Sequence, residues 1–474
     1  MNYSSWIYLC FNFLFFSAFP LLGQESRALV EYEKKKMMMK KPIYKASFYT
    51  LGCRLNQAET SLISNTFKER NYEIVEYGQP TDVCVINTCT VTEQADAKCR
   101  QLVRQVLKRS PDAFVAVVGC YAQMGAEALR RIEGIDLIVG TEEKMAVADF
   151  IDIPQKLPEP IIRRSKISKT PFTISSVGNY EHATRANLKV QDGCDFMCTF
   201  CVIPFARGRS RSRAFWDIQR EAIQLVARGH KELVLSGVNI GTYEFEGKTV
   251  LDIVKMLETI DGLERIRISS IEPTTISIEL VEHMAESEKL CSHFHIPLQS
   301  GDDSVLANMR RLYNVAEYVK FLEMIANRIP DVCLGTDVMV GFPGEGEAEF
   351  ANTHRLLEQL PFAYFHVFPF SERKGTAAVK IEDKVEVHTK KERSEILRNL
   401  SREKKTHFYQ QQLGKSVKVL MEEQNEPGWF QGFTDNYVKV GVPTDCDLSN
   451  EFVEVELKEI SQKNLAIGEI LNTY

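Results

Sequence analysis

Asp192-Gly193-Cys194-Asp195-Phe196-Met197-Cys198-Thr199-Phe200-Cys201 places three cysteines within eight residues, at the spacing Cys-x3-Cys-x2-Cys. A stretch this short can turn three sulfurs toward one compact inorganic cluster. A closed cluster takes four thiolates, so a triplet leaves one iron open to a small molecule. Other readings compete. Structural zinc takes four protein ligands, and no histidine lies nearby. A disulfide would use two of the three and leave one over. Chance clustering among 12 cysteines is the remaining reading, and the tight spacing disfavours it.

Outward from this knot, residues 187–380 alternate short apolar runs with amphipathic helical patterns. The runs 188–190, 233–235, 266–268, 293–296, 334–338 and 364–367 read as strands, with helices such as 215–227 between them. Six such repeats suit a barrel or partial barrel, whose chemistry sits at the C-terminal strand ends. The knot follows the first strand. Later strand ends carry polar or glycine-rich turns, among them Ser236-Gly237-Val238-Asn239 and Gly341-Phe342-Pro343-Gly344-Glu345. Glycine lets backbone approach a ligand closely. Singly these are ordinary turns; together, on one face, they are candidates to line a pocket.

Upstream, residues 46–50, 83–86, 114–118 and 136–139 read as strands of an open parallel α/β domain, with a helical pattern over 93–108. The first three run directly into Cys53, Cys89 and Cys120. In a parallel sheet those strand ends open on one edge, where open α/β sheets bind ligands. A second three-thiolate site is therefore predicted. Cys84 and Cys99 fall inside a strand and a helix and read as core. Residues 154–184, rich in Pro, Ser and Lys, read as a linker.

Downstream of the knot, Arg207, Arg209, Arg211 and Arg213 alternate with small residues, so an extended segment puts them on one face. Their planar forks suit phosphate, and a solvated charged loop is an equal reading. Arg310 and Arg311 are candidates to extend that patch. A basic helix is predicted over 388–412. The tail from 415 holds candidate strands 417–420, 437–440, 452–457 and 469–471, which make a small antiparallel barrel. Trp429, Phe430, Phe433 and Tyr437 are candidates to stack bases, some of them being core.

The length of 474 residues implies two to four domains. With 44% hydrophobic and 26% charged residues the balance is soluble and globular. A net charge of −6 gives no global basic field, so any RNA site is a local patch. Cysteines spread along a long chain with a metal-type knot indicate a reducing, cytoplasmic setting. Residues 6–22 form an apolar run short for a membrane span and preceded by no Lys or Arg. Residues 1–42 therefore read as an extension, or as a stretch ahead of a true start near Met37. No stable membrane partner is expected.

The knot, with Phe200 just before its last cysteine, resembles that of the radical S-adenosylmethionine (SAM) enzymes. Preceded by LGCRLNQAET, INTCTVT and VGCYAQ, it resembles the methylthiotransferase family over nearly everything after residue 43. The resemblance implies an N-terminal cluster domain over 43–153, a linker over 154–184, a partial (β/α)6 radical-SAM barrel over 185–411, and a TRAM-like, tRNA-binding β-barrel over 412–474. It implies two [4Fe-4S] clusters, one on Cys194, Cys198 and Cys201 that chelates SAM, the other on Cys53, Cys89 and Cys120. Ser236 and Gly237 would hold the methionine part of SAM, with Gly341 and Phe342 near its adenine. The implied reaction is radical transfer of a methylthio group to an aromatic C–H bond. Its partners would be a tRNA anticodon stem-loop, a reductant and a sulfur donor. The wording most resembles the branch acting on carbon-2 of threonylcarbamoyladenosine. Isopentenyladenosine and a ribosomal-protein aspartate are the family's other targets. A non-catalytic Fe–S carrier or RNA-binding module is the rival from another class, and carriers normally close their clusters with four ligands.

Overall fold

The parallel sheet anticipated upstream has six strands in the computed structural model, which describes residues 44–90, 93–180, 183–422, 424 and 426–473. The 1–42 extension lies outside the described residues. The strands are β1 (Tyr44–Thr50), β2 (Tyr72–Val75), β3 (Val83–Thr88), β4 (Phe114–Gly119), β5 (Leu137–Val139) and β6 (Ile161–Arg163), in the order β2-β1-β3-β4-β5-β6. β3 and β4 are buried along their whole length, as strands covered on both faces must be. Val83 and Val85 pack with α1 (Arg54–Glu69), whereas Cys84 and Ile86 pack with Cys99 and Leu102 of α2 (Glu93–Arg109) on the other face. A third helix, α3, runs Cys120–Arg130. Two strands were not anticipated. β2 is an edge strand of middling burial, and β6 is an edge strand supplied by the stretch read as linker. Edge strands lack the apolar run that betrays central ones.

In the second unit β7 (Arg185–Lys189) leads into a two-residue hairpin, β8 (Gln191–Asp192) against β9 (Arg211–Ser212), which frames the cysteine knot. Parallel strands β10 (Glu232–Ser236), β11 (Arg265–Ile268), β12 (His293–His295), β13 (Cys333–Val340) and β14 (Tyr364–Pro369) follow. Two three-stranded sheets, β11-β10-β7 and β12-β13-β14, join through bridges Ile266–Leu290 and Ser270–His295. The result is an open arc of six strands in chain order, the partial (β/α)6 barrel expected. Its outer helices are α4 (Phe215–Ala227), α5 (Val250–Glu258), α6 (Ile278–Glu286), α7 (Val315–Arg328) and α8 (Glu347–Gln359). Leu188, Leu235, Ile268 and Phe294 are core on the strands, with Ile218, Ile253 and Leu280 facing them from the helices. The basic helix α9 runs Val387–Gln410.

The tail closes into a five-stranded barrel, β15 (Ser416–Met421), β16 (Trp429–Phe433), β17 (Lys439–Pro443), β18 (Phe452–Ile460) and β19 (Ala466–Thr473), ordered β15-β16-β17-β19-β18. It is not wholly antiparallel: β17 and β19 pair in parallel. A ring of alternating strands closes only with an even number, so five strands force one parallel pair. Phe430, a candidate base-stacker, is barrel core at 2% exposure. No helix among the described residues is long and apolar enough to cross a membrane.

Candidate functional site

The knot is built by its backbone. Gly193 adopts φ +72°, and a side chain there would strike the Arg209 carbonyl oxygen, so only glycine fits. The Cys194 N–H donates to Gly208 O at 3.1 Å and the Cys201 N–H to Cys198 O at 3.1 Å. Thr199 fastens the loop to the barrel, its N–H donating to Met309 O (3.1 Å) and its hydroxyl to Asn308 O (2.8 Å). Arg311 donates to the Cys198 sulfur at 3.2 Å and pairs with Glu272. Burial pushes the Cys194 thiol up to about 11 and the Cys201 thiol up to about 12. It pushes Cys198 up as well, against the pull of Arg311. Thiols so placed ionise when a metal takes the place of the proton.

The second triplet comes from β1, β3 and β4, three neighbours in the sheet. Cys53 caps the N-terminus of α1, Cys89 follows β3, and Cys120 opens α3. The loops are close-packed: a Cβ on Gly52 would lie 2.8 Å from Cys89 Cβ and 3.2 Å from its sulfur. Asn56 ties two of these strand ends, donating to Leu51 O at 2.6 Å and Thr88 O at 3.1 Å. The Cys120 thiol is fully buried and pushed up by that burial, with Arg207 and Lys144 pulling against it. Cys84 and Cys99 lie in the core, away from this edge.

A single zinc would hold its sulfurs about 3.8 Å apart, given Zn–S of about 2.3 Å in a tetrahedron. Among the described residues the sole set of three His, Cys, Asp or Glu donor atoms within 4.8 Å of one another is His295, Asp337 and His366. Neither cysteine triplet closes that far, so neither is drawn onto one ion. Sulfurs ligating different irons of a cluster stand wider, and the donor chemistry fits that group.

Between the triplets lies a buried charge network. Glu59, with no exposed surface, receives Lys144 at 2.6 Å, Lys189 at 2.7 Å and Arg207 at 2.9 Å. Asp192, two residues before the knot, receives Lys189 at 2.7 Å and Arg207 at 2.9 Å. This overturns the phosphate-binding reading of the arginine stretch. Its alternation does put side chains on one face, but the face turns inward. Arg211 pairs with Glu142 at 3.1 Å, and Arg213 pairs with Asp217 at 2.7 Å and Glu221 at 2.5 Å. Of the four, Arg209 alone is exposed. Arg311 likewise serves Cys198 and Glu272, leaving Arg310 at the surface.

A cavity of about 660 Å³ opens where the three units meet. Cys53 and Cys89 line it from the first, Gly237, Ser269, Ser270, His295 and Asp337 from the barrel strands, and Tyr437 from the tail. Ser236 is buried beside Gly237, its hydroxyl donating to Val234 O at 3.2 Å. Gly341 (φ +68°) donates to Glu345 at 2.8 Å. Phe342 is fully buried, edge-on to Phe200 of the knot and Phe370. Several wall residues escaped the sequence reading. Asp337 accepts from His295 at 3.0 Å and His366 at 3.2 Å, and these two imidazoles outweigh burial to hold its carboxyl well below the usual range. The available signal was the i, i+2 pairs His293/His295 and Tyr364/His366, which put polar rings on one face of β12 and β14.

The Radical SAM superfamily model matches residues 188–357, and the model of the uncharacterized protein family UPF0004 matches 45–140. Among curated proteins, threonylcarbamoyladenosine tRNA methylthiotransferase MtaB of Bacillus subtilis is 39% identical, covering 87% of this chain and 93% of its own. The like-named protein of Aquifex aeolicus is 37% identical, covering 84% and 96%. The tRNA-2-methylthio-N(6)-dimethylallyladenosine synthase of Syntrophus aciditrophicus is 32% identical, covering 95% and 97%. Among solved structures, the radical SAM methyltransferase TsrM of Kitasatospora setae has a TM-score of 0.49 at 13% identity, over 70% of this chain and 75% of that one. Relatives above 30% identity that this chain spans almost end to end are named for methylthio modification of tRNA, and on that ground, with the Radical SAM match, the chain belongs to the radical-SAM methylthiotransferase family.

Proposed function

We propose that this enzyme adds a methylthio group to carbon-2 of threonylcarbamoyladenosine beside the anticodon of tRNA, in the cytoplasm, drawing on a separate reductant and sulfur donor. The reading rests on one observation: an interdomain cleft holds Cys53 and Cys89 of one triplet against the C-terminal ends of the barrel strands, and the other triplet follows the first of those strands in the chain. The choice of nucleoside follows the relatives, since those at 39% and 37% identity carry the threonylcarbamoyladenosine name, against 32% for the dimethylallyladenosine synthase.

Cys194, Cys198 and Cys201 would hold the cluster that binds SAM, and Cys53, Cys89 and Cys120 the second. When bound, these groups supply the radical that removes a carbon-bound hydrogen and the sulfur that takes its place. The chain's own share is placement. Arg311 donates to the Cys198 sulfur and stabilises its thiolate form. Ser236 and Gly237 close the strand end proposed for the methionine part of SAM. Gly341 and Phe342 back the adenine side, Phe342 through its contact with Phe200. The Glu59 network clamps the first domain to the barrel, so target carbon and sulfur meet in fixed geometry with water excluded.

The test is anaerobic reconstitution with SAM, reductant and tRNA carrying threonylcarbamoyladenosine. Formation of 5′-deoxyadenosine together with the 2-methylthio nucleoside is expected. A protein that yields no 5′-deoxyadenosine, or that modifies a ribosomal protein and leaves tRNA unchanged, overturns the reading.

A further inference from the structure

Guanidinium groups crowd around Tyr437 on the wall of the cleft. Arg54 donates to the phenol oxygen at 2.5 Å and lies 5.8 Å from the ring centre. Arg267 lies 4.9 Å from the same centre. Arg185 sits over Phe433, whose ring stacks on Tyr437 at 5.1 Å. Two of these cations have carboxylate partners: Arg267 has Glu232 at 2.8 Å, and Arg185 has Glu422 at 2.7 Å. Arg54 has none among the described residues. Tyr437 holds its Nη2 and fixes the plane of the fork, while Nε and Nη1 carry no hydrogen bond to protein among those residues. Of the histidines on this wall, His295 and His366 share Asp337, and His293 meets the Tyr364 hydroxyl through Nε2 at 3.0 Å. A guanidinium held in place, lining the cavity and lacking a counter-ion, is a site for an anion brought by the occupant.

The position of Arg54 says which anion. It directly follows Cys53, so it flanks the place where sulfur meets the substrate. In threonylcarbamoyladenosine the threonyl N–H can donate to adenine N1, which closes a six-membered ring. That fold lays the threonine along the N1 edge, with its α-carboxylate next to carbon-2. When carbon-2 is brought to the sulfur, the carboxylate arrives beside the residue after Cys53. An isopentenyl group carries no charge there. Resting on the substrate read above, we infer that Arg54 binds the α-carboxylate of the threonylcarbamoyl group and selects this nucleoside over adenosines with apolar N6 substituents.

Synthetic anticodon stem-loops test this. One carries threonylcarbamoyladenosine, one its threonine carboxamide, and one isopentenyladenosine. Dissociation constants are measured anaerobically on holoenzyme, with iron content as the check on each variant. A charge-assisted hydrogen bond is worth roughly tenfold or more in affinity. Wild type should bind the acid loop about tenfold more tightly than the amide loop. Arg54→Gln should bring that ratio to about one, and Arg54→Lys, which keeps charge without the fork, should leave it in between. If Arg54→Gln fails to hold iron, the wild-type ratio and Arg54→Lys decide the matter. Equal binding of acid and amide by a wild type that methylthiolates the acid loop overturns this inference alone, as does an unchanged ratio in iron-replete Arg54→Gln. A wild type that modifies the isopentenyl loop and leaves the threonylcarbamoyl loop untouched overturns the substrate reading, and the inference falls with it.

Discussion

Glu59 divides two carboxylate oxygens among Lys144, Lys189 and Arg207 and has no exposed surface. Burial alone would raise its carboxyl; the three cations outweigh burial and hold it well below the usual range. Removing the charge while keeping the shape, Glu59→Gln, leaves Lys189 and Arg207 with Asp192 alone and takes from Lys144 its carboxylate partner. Breaking a buried pair in this way costs about 3–5 kcal/mol, so a clear drop in the thermal midpoint of the variant is expected. The sign with pH follows from the same shift. Below the ordinary value of 4.5 the unfolded chain takes up a proton that folded Glu59 refuses, so stability falls as the pH falls. The midpoint of wild type should therefore drop more steeply than that of Glu59→Gln between about pH 6 and about pH 4. Equal slopes would show that Glu59 is not the group responsible. The network also marks what sequence can and cannot reveal. Arg213, Asp217 and Glu221 fall four apart, a spacing that hints at pairing along α4. The partner of Arg207 is 148 positions away, and nothing local distinguishes an arginine that meets it from one that meets phosphate.

At the scale of elements, central strands were legible and edges were not. β3, β4 and β13 carry apolar runs, and each cysteine of the second triplet could be placed because it ends such a run. β16 was missed because Trp429-Phe430, just after Pro427-Gly428, reads as an aromatic platform, although its burial alternates along the strand. That miss had a topological consequence. Four tail strands can close wholly antiparallel, whereas a fifth requires the parallel β17–β19 pair. β16 is also where the barrel is most sensitive. Gly432 lies between Met421 and Val440 on the neighbouring strands, and a Cβ there would strike the Leu420 carbonyl oxygen and come within 2.8 Å of Val419 Cγ1. Gly432→Val should therefore push β15 from β16 at a cost of about 1–3 kcal/mol or more. Hydrogen exchange should show faster opening across 416–473 with the barrel at 185–369 unchanged. Protection retained in β15 and β16 would contradict this account.

In the function proposed, one reaction is divided between two cysteine triplets that different structural elements build. Cys53, Cys89 and Cys120 depend on the sheet edge of the first domain, whereas Cys194, Cys198 and Cys201 depend on the β8–β9 hairpin and Arg311. The elements that build one site do not build the other, so a loss at one should leave the other intact. Cys198→Ala removes the sulfur that Arg311 holds and should abolish 5′-deoxyadenosine formation. Cys89→Ala should spare that reaction and stop methylthio transfer. Two full cubanes amount to about eight irons per chain, and each variant should retain about four. These values are read by metal analysis and anaerobic Mössbauer spectroscopy, beside product assays on one preparation. The Glu59 network limits how independent the sites can be, because Arg207 acts electrostatically on the Cys120 thiol and bonds to Asp192 just before the knot. A Cys89→Ala protein that loses 5′-deoxyadenosine formation as well as methylthio transfer, while keeping about four irons, would place the coupling in that network and end the division of labour argued here.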